Sequence, residues 1–257
     1  MLGGNPALRR LQRTTDGQFV DEHDRSTYGG IAKKSIFLVV LTFITAVASF
    51  FGVFFFVNWD YHFGIILGVL IGAGVVSFIM SMLAIFNPNA TKVCGTIYAL
   101  LQGFVLGFTA LMVTSVGYGG EVLAALLATV GTFLVMMILY ATGVIRVGSG
   151  FRKFIISAVI GMVLINLIMF LVALLTPGNA MWDLFFGNSF IAIAISVVMV
   201  ILASLMILLD LNRMTAIVQA GLDKRYEWVA AFGLLITLIW LYMEFLRLFI
   251  RIASRRR

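Results

Sequence analysis

The apolar residues of the chain fall into seven long blocks separated by short polar segments. The blocks cover approximately residues 35–57, 63–86, 94–117, 122–144, 154–176, 190–211 and 229–250. A helix needs about 20 consecutive apolar residues to cross a bilayer, and each block is close to that length. No block contains proline or shows the ten-residue alternation of membrane barrel strands. The pattern predicts an all-α integral membrane protein, a bundle of seven transmembrane helices.

The composition changes this picture only by excluding other classes of protein. Hydrophobic residues make up 62% of the chain and charged residues 11%, against about 25% charged residues in an average soluble domain. A soluble or disordered protein is therefore excluded. The single cysteine, Cys94, allows neither an internal disulfide nor a cysteine metal cluster.

The polar residues divide the chain into three parts. Residues 1–34 are predicted to form a cytosolic N-terminal arm that rests near anionic lipid headgroups. Residues 35–251 form the transmembrane domain, and residues 252–257 form a basic tail. The first apolar block starts too late for a signal peptide, which lies within the first 15–30 residues.

Basic residues occur in alternate loops, and this predicts the orientation in the membrane. The loops at 58–62, 118–121 and 177–189 contain no lysine or arginine. The other three loops contain Lys92, Arg146, Arg152, Lys153, Arg213, Lys224 and Arg225. Because basic loops stay in the cytosol, the N-terminus is predicted to be cytosolic. These residues also account for much of the net charge of +7, so no nucleic-acid partner is needed.

The C-terminal tail disagrees with this orientation. Seven spans place the C-terminus outside, yet the tail carries Arg251, Arg255, Arg256 and Arg257. Either the tail is a tolerated exception or the last block does not cross fully. Since the first helices usually dominate orientation, seven spans are favoured.

Small and polar residues within the blocks indicate how the helices pack. The pairs Gly68/Gly72 and Gly103/Gly107 have the spacing that lets helix backbones approach closely. This indicates tight packing within one bundle rather than a dimer interface. Gln102 and Asn166 lie in the middle of their blocks, and we expect them to form hydrogen bonds with neighbouring helices.

Charged side chains within the blocks are the candidate functional residues, because a charge in the bilayer costs roughly 2.5–3.5 kcal/mol. Asp210 lies in the sixth block, and Glu244 and Arg247 lie in the seventh. Glu244 and Arg247 are three residues apart, so they share a helix face and can form a self-satisfied ion pair. Asp210 can pair with Arg213 in the same way. These pairings and a functional role remain alternatives.

An enzyme is not expected, because the parts for catalysis are missing. The histidines are His23 in the arm and His62 in a predicted outer loop, so an intramembrane Ser–His dyad or a histidine zinc site has no parts in the predicted helices. An intramembrane aspartyl protease would need a second buried aspartate. No metal or cofactor is predicted.

Several runs of residues are similar to those of one family of membrane proteins. The most specific run extends over residues 226–248, from Tyr226-Glu227-Trp228 through Thr237 to Glu244-Phe245-Leu246-Arg247-Leu248. Weaker similarities are Asn5-Pro6-Ala7, Tyr98-Ala99, Leu139-Tyr140 and Val144-Ile145-Arg146. Together these runs resemble the Bax-inhibitor-like, YccA-type family of membrane proteins, specifically its bacterial branch.

The resemblance implies a bundle with the last helix at its centre and a calcium leak gated by protons, in a bacterial plasma membrane. Calcium would be the transported ion rather than a cofactor. It also implies that Asp210 and Glu244 are the acid pair that senses pH. Two neighbouring carboxylates in a low dielectric cannot both ionise, so they share a proton near neutrality. Arg247 would stand in for the arginine that holds this pair in relatives.

The spacing leaves the partner of Asp210 open. From Trp228 to Glu244 a straight helix rises about 24 Å, whereas Asp210 is close to the cytosolic face. The seventh helix must therefore be broken or tilted, or Asp210 pairs with Glu227. The rival function is a non-conducting regulator that binds another membrane protein, such as a membrane-embedded protease. The sequence does not fix the oligomeric state.

Overall fold

The computed structural model describes residues 24–56, 59–145, 147–175 and 189–256. The predicted arm up to residue 23, Arg146 and the loop that contains Asp183 lie outside the described residues, as does the side chain of Asn166. The described ranges form seven helices. They are α1 (Tyr28–Phe56), α2 (Trp59–Phe86), α3 (Thr91–Ser115), α4 (Gly119–Ala141), α5 (Ser149–Leu175), α6 (Phe190–Gln219) and α7 (Arg225–Arg256).

Several helices extend beyond the apolar blocks that predicted them. α1 begins at Tyr28 instead of residue 35, and α7 covers Arg225–Arg256 instead of residues 229–250. α6 continues to Gln219, so Asp210 lies well inside a helix and not at its end. The difference arises because the hydrogen bonds of a helix join backbone groups, so a helix continues where its side chains become polar.

Six of the described helices are long and apolar enough to cross a membrane. They are α1, α3, α4, α6, α7 and the Gly68–Phe86 part of α2. α5 is not among these six over its described residues, so the seventh crossing stays a prediction. The helical membrane class that the apolar blocks predict is confirmed.

α7 lies at the centre of the bundle. In its most apolar window 61% of the residues are buried, against at most 39% in any other candidate span. Within the described ranges α7 contacts α1, α2, α3, α4 and α6, whereas α5 contacts α6 alone. Large apolar side chains on the outer helices are exposed, such as Phe78 of α2 and Leu127 of α4, as expected for surfaces that face lipid.

Two glycines of α3 allow close packing against α1. A Cβ on Gly103 would overlap Thr45 Oγ1 and the backbone oxygen of Thr42, and one on Gly107 would overlap the backbone of Ala46. Ser49 Oγ also donates to the Phe104 carbonyl oxygen at 3.0 Å. The predicted packing role of Gly103 and Gly107 is therefore confirmed.

The same prediction is wrong for the glycine pair of α2. A Cβ on Gly68 or Gly72 would meet no atom within 4 Å. The spacing permits close packing but does not choose the face that a neighbouring helix contacts, and here no described neighbour lies against these glycines.

Candidate functional site

Two polar side chains of α7, Thr237 and Arg251, contact α6 at different heights along the helix. The two helices run antiparallel, as two of their contacts show. Thr237 of α7 meets Asp210 of α6, and Arg251 meets Ser196. Thr237 and Arg251 are 14 residues apart in α7, and Ser196 and Asp210 are 14 residues apart in α6. The heights of other residues along the two helices can therefore be compared by counting residues from these two contacts.

Asp210 is the acid at the contact of α6 with α7. It is 7% exposed, and Thr237 Oγ1 donates to its Oδ2 at 2.5 Å. Gly233 of α7 lies beside this contact: a Cβ there would lie 3.6 Å from Asp210 Oδ1, an ordinary van der Waals distance. Arg213 Nη1 also lies near Gly233, 3.9 Å from the position of a Cβ there, and Arg213 interacts electrostatically with Asp210. Among the described residues no direct ion pair within 4.0 Å joins the two side chains.

Glu244 lies at a different height along α7 from the contact of Asp210 with Thr237. Its side chain is 3% exposed and forms an ion pair with Arg247 at 3.0 Å. Arg247 Nη1 contacts both carboxylate oxygens, and Trp240 Nε1 donates to Oε1 at 3.0 Å. The predicted pair of Glu244 and Arg247 is therefore present, and half of the Arg247 side chain is exposed.

The two acids implied by the resemblance do not meet in this structure. Asp210 contacts Thr237, which precedes Glu244 by seven residues, or about 10 Å of helical rise. α7 is one unbroken helix, so nothing brings the levels together. The described conformation thus holds two separately satisfied carboxylates and not a pair that shares a proton.

Glu227 lies at the opposite end of α7 and binds residues of α1 and of the segment before it. Its carboxylate is 4% exposed and forms an ion pair with Lys34 Nζ at 2.7 Å. The backbone N–H of Thr27 donates to Oε1 at 2.8 Å. Glu227 therefore has its own partners and does not pair with Asp210, the alternative that the sequence left open.

The contacts of Glu227 complete the N-terminal cap of α1. Thr27 Oγ1 accepts the N–H of Gly30, as the first residue of a capping box does. In such a box a glutamate three residues later binds the first residue's N–H. That position is Gly30 here, and the carboxylate of Glu227 fills the space where a side chain would lie. A residue of α7 thus supplies the missing half of the cap.

The segment before α1 is also bound to the connection between α6 and α7. Ser26 N donates to the Leu222 carbonyl oxygen at 2.7 Å, and Lys224 N donates to that of Asp24 at 3.0 Å. Ser26 Oγ donates to the Asp223 carbonyl oxygen at 2.8 Å. These bonds fix the start of α7 relative to the start of α1.

Arg251 belongs to the bundle and not to the tail in which its sequence position suggested it. It is 7% exposed, and its Nη1 donates to the Ala192 carbonyl oxygen and to Ser196 Oγ of α6. Arg255 lies over the Phe190 ring at 5.9 Å. Because Arg251 is buried and has partners within the protein, it carries little information about the side of the membrane on which the C-terminus lies.

Sequence reasoning missed Thr237 as the partner of Asp210 and Lys34 as the partner of Glu227. Spacing within one helix could not have indicated either contact, because each joins residues of two different helices. Gln102 is half-buried, and its side chain forms no hydrogen bond with another described residue. Among the described residues no three His, Cys, Asp or Glu side chains are grouped to hold a metal ion.

The chain is similar to one family of known proteins over nearly its whole length. A search of curated proteins found no match. The family model described as Bax inhibitor 1 like matches residues 5–254, which is nearly the whole chain and includes Asp210, Glu227, Thr237, Glu244, Arg247 and Arg251. The chain therefore belongs to the Bax inhibitor 1 like family.

Proposed function

We propose that this protein is a proton-sensitive cation leak and that calcium is the ion it conducts. The observation that carries the proposal is the buried carboxylate of Asp210, which Thr237 binds across the contact of α6 with α7. Both helices are apolar enough to cross a membrane. Ionisable side chains inside such helices are costly, and they mark ion and proton pathways in membrane proteins.

The mechanism follows from what a carboxyl group can do in its two protonation states. The ionised group only accepts hydrogen bonds, whereas the protonated group also donates one. A change of state at Asp210 alters its bond with Thr237, and hence the contact of α6 with α7. Because α7 contacts five of the described helices, a shift of α7 changes packing through the bundle and opens or closes the leak.

Glu244 and Arg247 are proposed to line the ion pathway at the next level. In the described conformation Arg247 neutralises Glu244, so Asp210 is the acid whose protonation changes the contact between the helices. An approach of the two acids would require α6 to slide along α7 by about 10 Å, nearly two helical turns. The proposal therefore assigns pH sensing to Asp210, while Glu244 stays in its ion pair with Arg247.

The arrangement in the membrane forms part of the proposal. α5 is taken to cross with the six other helices, so that the protein has seven spans and a cytosolic N-terminus in a bacterial plasma membrane. The basic loops support this orientation. The protein is proposed to be neither an enzyme nor the carrier of a cofactor.

Calcium flux into liposomes at pH 6 and pH 8 tests the proposal. Wild-type protein should conduct at rates that differ between the two values. Asp210→Asn fixes the side chain in an uncharged state, so its flux should be the same at both. The matched control is Glu121→Gln, which neutralises a half-buried acid in the first turn of α4 and should keep the pH dependence. Equal pH dependence in wild type and Asp210→Asn would contradict the assignment.

The second candidate function is a non-conducting regulator that binds another membrane protein, such as a membrane-embedded protease. The separation of Asp210 from Glu244 favours it, because the described conformation lacks the acid pair of a conducting relative. Folded wild-type protein that conducts no calcium at either pH would make this the better interpretation.

A further inference from the structure

An aromatic side chain at one end of the bundle lies between two lysines from different helices. Trp228 is in the first turns of α7, and its ring centroid is 5.3 Å from Lys34 Nζ of α1 and 5.9 Å from Lys92 Nζ of α3. The ends of three helices therefore converge on one indole ring. We call Trp228, Lys92 and Phe37, together with the ammonium of Lys34, the Trp228 site.

The charges at this site are only partly balanced within the protein. Lys34 is neutralised by Glu227 at 2.7 Å. Lys92 is exposed, and among the described residues no carboxylate lies within 4.0 Å of it. Lys33 is also exposed next to the site. The site therefore presents an excess of positive charge at its surface.

An apolar surface continues from the indole towards the middle of the bundle. Phe37 is 48% exposed and meets Trp228 edge to face, with 6.1 Å between the ring centroids. It follows Lys34 by three residues in α1, or about 4.5 Å of helical rise. Along α1 the ammonium of Lys34 thus precedes the exposed phenyl ring of Phe37, and the indole lies beside both.

We propose that the Trp228 site binds an anionic phospholipid, with the phosphate at Lys92 and an acyl chain along Phe37. A phospholipid has the same order of groups: a charged phosphate, an interfacial glycerol region and an apolar chain. Tryptophan prefers the level of the headgroups in a bilayer, and basic pockets between transmembrane helices bind anionic headgroups. The phosphate would balance the charge of Lys92, which no described carboxylate balances.

The test measures lipid binding and does not depend on ion flux. Detergent-purified wild-type protein is titrated with phosphatidylglycerol and, separately, with phosphatidylcholine, and bound lipid is counted by native mass spectrometry. We expect preferential binding of phosphatidylglycerol. Lys92→Gln should weaken that binding by about fivefold, which corresponds to one basic residue near an anionic headgroup.

The matched control is Lys153→Gln. Lys153 is another exposed lysine, in the first turn of α5, and α5 does not contact α7 in the described ranges. This variant should bind phosphatidylglycerol as the wild type does. Equal losses in both variants would mean a diffuse effect of surface charge, and no loss in Lys92→Gln would mean that Lys92 is not a ligand; either result overturns the site.

Two further experiments distinguish a bound lipid from a bound inorganic anion. Inorganic phosphate at millimolar concentration should not displace phosphatidylglycerol, because it lacks the acyl chain. Phe37→Ser should weaken phosphatidylglycerol binding, whereas the melting temperature in phosphatidylcholine nanodiscs should fall only slightly, since the variant loses one edge contact with Trp228 and half of the Phe37 side chain is exposed. Displacement by phosphate alone, or wild-type binding by Phe37→Ser, would show that the site does not hold a lipid.

Discussion

The carboxylate of Glu227 lies where a Cβ on Gly30 would be, so a residue of the last helix occupies the first turn of the first helix. The close approach joins two positions that are almost 200 residues apart in the chain. It places the cap of α1, the ion pair with Lys34 and the start of α7 in one buried cluster.

This relationship predicts a strong effect of a single methyl group. Gly30→Ala should lower the free energy of unfolding by about 1–3 kcal/mol, the usual cost of inserting an extra carbon into a packed site. The added atom would displace the carboxylate from Thr27 and Lys34. Thermal unfolding in detergent measures the effect.

The neighbouring glycine provides the control for Gly30→Ala. A Cβ on Gly29 would meet no atom within 4 Å, and alanine is favoured over glycine in a helix. Gly29→Ala should therefore be neutral or slightly stabilising. If both variants unfold at the same temperature, Glu227 does not fill the space at Gly30.

The glycines of α3 give a second prediction on packing. Gly103→Ala should lower the melting temperature by several degrees, because the new Cβ overlaps Thr45 and the α1 backbone at Thr42, and small residues are what allow this contact. Gly72→Ala should change little, since its Cβ would meet no described atom within 4 Å. The reverse order of the two variants would exclude the close contact of α1 with α3.

Much of the fold could be predicted from the sequence, because long apolar blocks have only one stable form in lipid. The ends of α1 and α7 could not, since they depend on the cap at Thr27 and on polar turns that hydropathy does not detect. The site was predicted in part. The pair of Glu244 and Arg247 is a local contact within one helix, so spacing was sufficient to find it.

Contacts between helices were harder to predict for a physical reason. Whether Asp210 meets Arg213, Glu227 or Thr237 depends on the register of α6 against α7. That register is shown by the contacts of Thr237 with Asp210 and of Arg251 with Ser196. Neither is visible in one sequence. The same reason explains why Gly103 faces a neighbouring helix and Gly68 faces no described residue. The spacing of glycines shows that they share a face of their own helix, but it does not show which face another helix contacts.

The orientation predicted by the basic loops can be tested with two matched glycines. Gly150 at the start of α5 and Gly120 at the start of α4 are both exposed, and a Cβ on either would meet no atom within 4 Å. In a background without the buried Cys94, Gly120→Cys should react with an impermeant thiol reagent in intact cells. Gly150→Cys should react only after the cells are permeabilised. The opposite pattern would invert the topology.

The last prediction separates the effect of the Thr237 hydroxyl group from the effect of the side chain's volume. Thr237→Val has nearly the same volume but no hydroxyl, so it leaves Asp210 without its donor at 2.5 Å. Thr237→Ser keeps the hydroxyl. If the contact of α6 with α7 responds to the proton on Asp210 through this bond, the pH dependence of calcium flux should be altered in Thr237→Val and retained in Thr237→Ser.

The two variants differ in the expected cost to stability as well. Removal of one partner from a buried hydrogen bond costs about 1–3 kcal/mol, so Thr237→Val should unfold at a lower temperature while Thr237→Ser loses less. Flux at pH 6 and pH 8 is therefore compared below the melting temperature of each variant. A Thr237→Val protein that is destabilised yet keeps the wild-type pH response would show that the bond is structural, and that the proton is sensed elsewhere.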